Sequence, residues 1–317
     1  MEINDKGGIS GRTLTLRIVD AGGDPEETAA LARNLAEAGQ IDAVVGMHIS
    51  AVRQSLVQSI GGQLPYIYTP LYEGGEMAPG VYAIGDTPAD QLYPALDWLM
   101  HQYGVRRWVL IGNDYVWPRT THRMTKQHFK GGARVVLGER YLPFGIKNYD
   151  SIIDWIRQLR PDAVMVSMVG QDAVAFNRAF GKAGLSKHIL RFSCAIEENV
   201  LLGIGQENSD GLFAAASYFA NMQTADNGRF KERYYALHGE NAPVLNSIGQ
   251  SLYEGIHFLS GLLDNHHGDH WRALHHPVRY GGARNSIFGR DRLNNAPVYL
   301  SEAQGNEFKI VERLSGD

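Results

Sequence analysis

Three short stretches concentrate side chains that could hold a small molecule: GMHIS (46–50), YTPLYEGGE (68–76) and NDYVWPR (113–119). Ser50 stands where a helix is expected to begin, so its hydroxyl and the unpaired backbone N–H groups of a first helical turn could receive a carbonyl or anionic oxygen. The same position also suits a serine that only caps its own helix. Tyr68, Tyr72, Tyr115 and Trp117 could wall a pocket that is apolar on its faces and polar at its edges, or could complete a core. Asp114 and Arg119 are close enough in sequence to pair with each other instead of a ligand. Glu197 follows an expected strand and could meet an ammonium or amide N–H group, or could serve the dipole of the helix after it.

Other chemistries find less support. GGISG (7–11) lacks the strand-before, helix-after setting of a phosphate loop, and no G-x-x-x-x-G-K-[ST] or G-x-S-x-G motif occurs. GIGQEN (203–208) reads as a turn after a helix. Ser193 and Cys194 have no histidine assigned to them, so no nucleophile is paired with a base. NHHGDHWRALHH (265–276) places His266 and His270 at helical i, i+4 spacing, with His267, His275 and His276 nearby. No fixed acid or cysteine completes a tetrahedral set, so this stretch is read as a solvated histidine-rich segment and no metal or cofactor is expected.

The elements that must position these residues alternate regularly. LTLRIVDA (14–21) is expected to be a strand. It is followed by GGDPEETAALARNLAEAG (22–39), in which Asp24 suits an N-cap, Pro25 the first helical position and Glu27 a capping box, with Leu31, Leu35 and Ala38 on one face. IDAVVG (41–46) is a short buried strand, and a helix then runs from Ser50 to Gly61. PYIYT and VYAIG are further strands, and Thr87 with Pro88 opens another helix. The rhythm continues with strands in 106–114, 133–142, 161–169, 189–192 and 211–219, and helices near 118–130, 149–159 and 171–183. Parallel sheets with helices on both faces follow from this order, in two successive doubly wound series. Residues 228–263 read as helical, and 286–314 as antiparallel strands with turns at Asn294-Asn295 and Gly305. Open parallel sheets hold ligands beyond the C-terminal ends of their strands, which is where all three opening stretches fall.

The 317 residues suit two domains, and 44% hydrophobic with 20% charged residues is ordinary globular composition. A formal charge of −4 with no basic block excludes the electrostatic footprint of a nucleic-acid binder. The single cysteine, Cys194, excludes an internal disulfide. No window reaches the roughly 18 to 20 apolar residues of a membrane span, so no direct membrane insertion is expected.

With these segments in hand, the chain resembles the type I periplasmic-binding-protein family, in its branch of branched-chain amino acid, urea and short-chain amide receptors. Residues 2–35 look like that family's opening, and YTPLYEGGE and IGNDYVWPR look especially like the cytoplasmic amide sensor and the urea receptors. The similarity runs nearly end to end. It implies an α/β fold of two Rossmann-like, doubly wound parallel-sheet lobes joined by three crossovers, with a ligand cleft between them. The lobes would comprise about 1–87 with 220–290, and 88–219 with 291–317.

Residue by residue, Ser50 matches the family serine that receives the ligand's oxygen, and His48 falls where the amide sensor has a tyrosine. Tyr68, Thr69 and Pro70 match the pocket segment after the following strand. Tyr115 and Trp117 match the aromatic pair of the second lobe, Gln171 follows a matching turn, and Glu197 lies in the region that meets the ligand's nitrogen end. Three departures accompany the match. Met1 falls inside the family's first helix, so an N-terminal strand and most of a helix are expected to be missing from the first lobe. His48 replaces an aromatic hydroxyl, and SCAIEEN (193–199) has Ala195 and Ile196 where the amide sensor has hydroxyl residues.

The resemblance implies a non-enzymatic receptor closing on a small urea-, amide- or amino-acid-like ligand. Its partner would be an ABC transporter permease, in a periplasmic or extracytoplasmic setting. The alternatives are a cytoplasmic amide sensor acting on a regulatory protein and an amide-processing enzyme using Glu197 or Asp114. A homodimer is compatible with either receptor role.

Overall fold

A computed structural model describes residues 2–265 and 271–315. The strands, in chain order, are β1 (Val44–Gly46), β2 (Tyr66–Tyr68), β3 (Val81–Ala83), β4 (Arg107–Asn113), β5 (Val135–Leu142), β6 (Ala163–Ser167), β7 (Leu190–Ser193), β8 (Leu212–Ala216), β9 (Val278–Arg279), β10 (Ile287–Phe288), β11 (Val298–Gln304) and β12 (Glu307–Ser315). The chain divides into two α/β lobes. The first comprises Met1–Gly85, Ala225–Glu232 and Ile248–Ala296; the second comprises Asp86–Thr224, Arg233–Ser247 and Pro297–Asp317.

In the first lobe β1, β2 and β3 form a parallel sheet in that order, with Val45, Ile67 and Tyr82 in register. Strand alternation sends Tyr66 and Tyr68 to one face and Ile67 to the other. Ile67, Tyr82 and Ile84 pack with Phe258, Leu259 and Leu262 of the helix Ser247–Asn265 and with Phe288. Tyr66, Tyr68, Val81 and Ala83 pack with Ala29, Val52, Leu56 and Ile60, which come from the helices Pro25–Glu37 and Ser50–Ile60. Both faces are therefore covered by helices, the doubly wound arrangement that three apolar parallel strands require.

The first of these helices starts at Pro25 as expected, but Glu27 does not close the expected capping box, since its side chain takes no bond from the Asp24 N–H. Asp24 accepts from the backbone N–H groups of Glu26 and Glu27 with Pro25 just inside, while Gly39 follows at φ 63°. Its buried positions are Ala29 and Leu35; Leu31 is exposed.

One expected strand is corrected. Residues 14–21 form no regular element and join no ladder among the described residues, and Leu16 and Ile18 are 63% and 93% exposed. Alternating β-type side chains favour an extended backbone, yet a strand also needs a neighbour to pair its N–H and C=O groups.

The second lobe holds a seven-stranded sheet in the order β12-β11-β8-β7-β6-β4-β5. β4 to β8 run parallel, and the hairpin of β11 and β12 adds to β8 antiparallel. Trp108, Leu110, Met165, Phe192, Phe213 and Leu300 bury one face against Leu96, Leu99 and Phe129. Their alternates Val109, Ile111, Val164 and Val166 are equally buried. Each such aliphatic side chain contributes about 1.5–3 kcal/mol of burial. Arg191, wholly buried at the start of β7, is held by Asn177 Oδ1 and the carbonyls of Asn208 and Asp210, and lies over the Phe180 ring.

No helix among the described residues is long and apolar enough to cross a membrane. His266, His267 and His270 lie outside the described residues, so the spacing of the histidine-rich segment goes without a structural account. Among the described residues no group of three or more His, Cys, Asp or Glu side chains could hold a metal.

Candidate functional site

At the C-terminal ends of β1 and β2 the first lobe brings His48, Ser50 and Tyr68 together. Ser50 is 2% exposed and is the first residue of its helix; the N-cap is Ile49, and no side chain caps that end. The expectation that Ser50 caps its own helix is thus corrected: the hydroxyl belongs to the first turn and lies beside the Tyr68 phenol. Burial, opposed by the neighbouring Ser50 hydroxyl, pushes Tyr68 far above the ordinary phenol range, so it stays a neutral hydroxyl.

His48 fills the end of β1. Its ring lies 5.5 Å from that of Tyr68 and stacks at 6.0 Å on Tyr66, and its Nε2 is 2.6 Å from the Tyr66 hydroxyl. A Cβ on Gly46 would fall 2.2 Å from the imidazole, so the glycine is what lets this ring fold back over the strand. Burial, then the nearby Arg53 guanidinium, lowers the His48 pKa to about 4, leaving the imidazole neutral at physiological pH.

Thr69 and Pro70 continue β2 and are buried. The Thr69 hydroxyl donates to the Gly46 carbonyl at 3.3 Å and accepts from Ser251 Oγ at 3.1 Å, so it joins two strands and a helix. The Pro70 carbonyl packs where a Cβ on Gly85 would lie, at 1.8 Å.

The rest of YTPLYEGGE is organised by a residue that sequence inspection passes over. Arg53 reaches from its helix to Glu73 at 2.8 Å and to Glu76, all three side chains 7–9% exposed. Its guanidinium also lies 5.5 Å from the Tyr68 ring centroid and 5.6 Å from that of Tyr72. The available signal was an arginine adjoining the apolar positions Val52, Leu56 and Ile60, three residues after Ser50, with two acids in a glycine-containing loop.

In the second lobe the expected residues lie past the C-terminal ends of its parallel strands. Tyr115 follows β4 and is the extended N-cap of the helix Val116–Phe129; its ring sits 6.4 Å from Trp117 and 5.5 Å from Phe144. Trp117 is 4% exposed, so much of it serves packing. Gln171 is exposed in the first turn of the helix Gly170–Lys182, and Glu197, 9% exposed, is the N-cap of Glu198–Ile204. Arg119 Nε donates to Asp114 at 2.8 Å and its guanidinium covers the Tyr141 ring at 4.3 Å. The loops are tied by Asn113, which donates to Asp172 at 2.8 Å and accepts from Val169 N–H, while Asp172 accepts from Gly145 N–H.

Sequence inspection also missed a serine–histidine–glutamate chain. His122 Nε2 lies 3.1 Å from Ser167 Oγ and its Nδ1 lies 3.3 Å from Glu139 Oε1. Glu139 also accepts from Lys126 and Tyr141, and the neighbouring His122 ring, then the Lys126 bond, outweigh burial and hold its carboxyl at about 2. The order suggests an activated nucleophile, but His122 is wholly buried and Ser167 is 2% exposed, so no substrate reaches the hydroxyl. This chain fastens β5 and β6 to the helix between β4 and β5.

Two α/β lobes, each with polar and aromatic side chains past the C-terminal ends of parallel strands, define a two-lobed solute-binding architecture. The family model described as periplasmic binding protein matches residues 1–300, and the chain belongs to that family. Solved structures share its fold. One is a periplasmic binding protein from Burkholderia mallei, 17% identical with a TM-score of 0.87, covering 99% of this chain and 87% of that one. Another is the branched-chain amino acid transporter substrate-binding protein LivJ from Streptococcus pneumoniae in complex with isoleucine, 14% identical, TM-score 0.85, covering 99% and 91%. A third is a solute-binding protein of an ABC transporter from Rhodopseudomonas palustris in complex with p-hydroxybenzoic acid, 16% identical, TM-score 0.85, covering 98% and 87%. The family and these neighbours are non-enzymatic solute-binding proteins.

Proposed function

We propose that this solute-binding protein takes a small urea-, amide- or amino-acid-like molecule and presents it to an ABC transporter permease outside the cytoplasm. The observation that carries the reading is the start of the helix Ser50–Ile60: a buried serine hydroxyl in the first turn, at the C-terminal ends of β1 and β2, with no side chain capping the N-terminus. Such an end offers N–H groups and a hydroxyl to one oxygen of a ligand. Neutral His48 and Tyr68 beside it present aromatic faces and hydrogen-bonding edges, which suit a flat carbonyl group. Tyr115, Trp117, Gln171 and Glu197 are the second lobe's proposed contacts, with Glu197 suited to a ligand N–H. Thr69 and Pro70 position the Tyr68 segment. Bound isoleucine and p-hydroxybenzoic acid in the neighbours support an oxygen-bearing organic solute as the general type.

The test is mass spectrometry of whatever co-purifies, followed by a thermal-shift screen of ureas, amides, amino acids and aromatic acids against the stripped protein. Saturable stabilisation is expected from a urea, amide or amino acid, and lost affinity in Ser50→Ala. A flat response throughout, or a ligand whose affinity Ser50→Ala leaves unchanged, overturns the reading. Steady ammonia release from an amide would instead show turnover.

A further inference from the structure

Where β8 ends at Ala216, the chain leaves the second lobe's sheet through residues 217–224, and it enters the first lobe at Ala225. This exit segment is fastened at several points. Ser217 N–H donates to Asp86 Oδ2 at 2.9 Å, the Phe219 ring packs on Phe308 at 5.3 Å, the Asn221 amide donates to the Phe308 carbonyl, and Ala220 N–H donates to Glu198 Oε1 at 2.6 Å. The last bond differs from the rest. Glu198 is 8% exposed, and its second oxygen, Oε2, is buried with no hydrogen-bond partner among the described residues.

A buried carboxylate with one oxygen unsatisfied is costly, whereas the protonated acid sheds the charge and keeps the Ala220 bond in a weaker form, at the smaller cost of one buried O–H. We propose that Glu198 is a proton-operated clasp: in its neutral form it holds the exit segment against the helix Glu198–Ile204, and on ionisation it releases the segment that carries the chain into the first lobe. Burial, opposed by the N–H bonds from Ala220 and from its own backbone, raises its titration from 4.5 to about 7.

The charged groups around it have other engagements. Asp86 binds the far end of the segment at Ser217. Glu197 precedes it as the N-cap. On β12, Glu307 and Lys309 flank Phe308 and are exposed. On the helix Gly170–Lys182, which packs on Glu198–Ile204, Asp172 is bound to Asn113 and Gly145, while Arg178 and Lys182 are exposed.

The sign follows from linkage. The docked segment holds a proton that the released one gives up, so the contribution of the clasp is full below about pH 4.5, weakens as pH rises and is gone once pH passes about 7, leaving the other fastenings. Opening should increase up to roughly tenfold per pH unit across that window. Amide hydrogen exchange of the Ala220 region, corrected for intrinsic rates, tests this between pH 5 and 8. The expected result is protection that falls with pH in the wild type and stays flat in Glu198→Gln, while core amides of β4 and β6 keep theirs in both. Protection independent of pH in the wild type, or an unchanged slope in Glu198→Gln, overturns the clasp. Should that variant not fold, carbon-13 NMR of the Glu198 carboxyl in the wild type decides: a midpoint near neutrality supports the proposal, and one in the ordinary glutamate range overturns it.

Discussion

His48 and Tyr66 are joined by a short hydrogen bond, Nε2 to hydroxyl at 2.6 Å, beneath the proposed ligand-binding surface of the first lobe. Burial keeps Tyr66 protonated and His48 neutral, and the imidazole tautomer sets which of the two donates. Protonating His48 would bury a charge and place it near the Arg53 guanidinium.

The consequence is a pH dependence of stability. The folded pKa of His48 is about 4 against 6.5 in the unfolded chain, so between these values the unfolded state binds more protons. Its contribution is intact above pH 6.5 and is lost as pH falls towards about 4, by about 3 kcal/mol in all. Buried His122, also lowered, acts in the same direction. Urea unfolding from pH 7.5 to 4.5 should show this fall, and His48→Phe should reduce its slope. An unchanged slope would mean that His48 is not its source.

Arg53 is the charge partner of both loop glutamates. Arg53→Met should cost about 3–5 kcal/mol, because two buried carboxylates lose their counter-ion. The triple variant with Glu73→Gln and Glu76→Gln should recover much of that loss in denaturant melts. A single variant as stable as the wild type would show that the ion triplet does not hold the loop.

Thr69 and Ser50 should separate scaffold from ligand contact. Thr69→Val removes the bonds with Gly46 and Ser251 and should cost about 1–2 kcal/mol of stability with little change in ligand affinity. Ser50→Ala removes no helix cap and should spare the fold, yet weaken ligand binding roughly tenfold. Calorimetry on the co-purifying ligand, set beside apo melts, checks both; the opposite pattern would exchange their roles.

Gly85→Ala would put a Cβ 1.8 Å from the Pro70 carbonyl oxygen, so the backbone of one strand end must shift. A loss of at least about 1–3 kcal/mol is expected in thermal melts, in line with the cost of overpacking a tight site. No measurable loss would show that this contact is slack.

Much of this molecule was legible because its signals are local. Asp24 and Pro25 open a helix whatever surrounds them, and the runs of apolar residues in β4, β6 and β8 mark strands buried on both faces. The placement of Tyr68 at a strand end, and of His48, Ser50, Tyr115 and Glu197 past strand ends, followed from strand order and the rule for parallel sheets. Residues 14–21 were misread because alternation reports side-chain pattern, while a ladder depends on a neighbour. Arg53 was passed over because its partners lie 20 and 23 residues away, beyond any helical or strand period.

The sequence by itself therefore determined the α/β order, the two lobes and the strand ends that carry the candidate contacts, since periodicity and capping act over a few residues. Only the tertiary structure decided what each side chain in YTPLYEGGE does. Tyr68 lies beside Ser50, Thr69 is drawn into the scaffold by Gly46 and Ser251, and Glu73 and Glu76 close on Arg53. Those assignments depend on burial and on partners remote in the chain. Desolvation makes an unpaired polar group costly, and only the folded arrangement shows which partner relieves it.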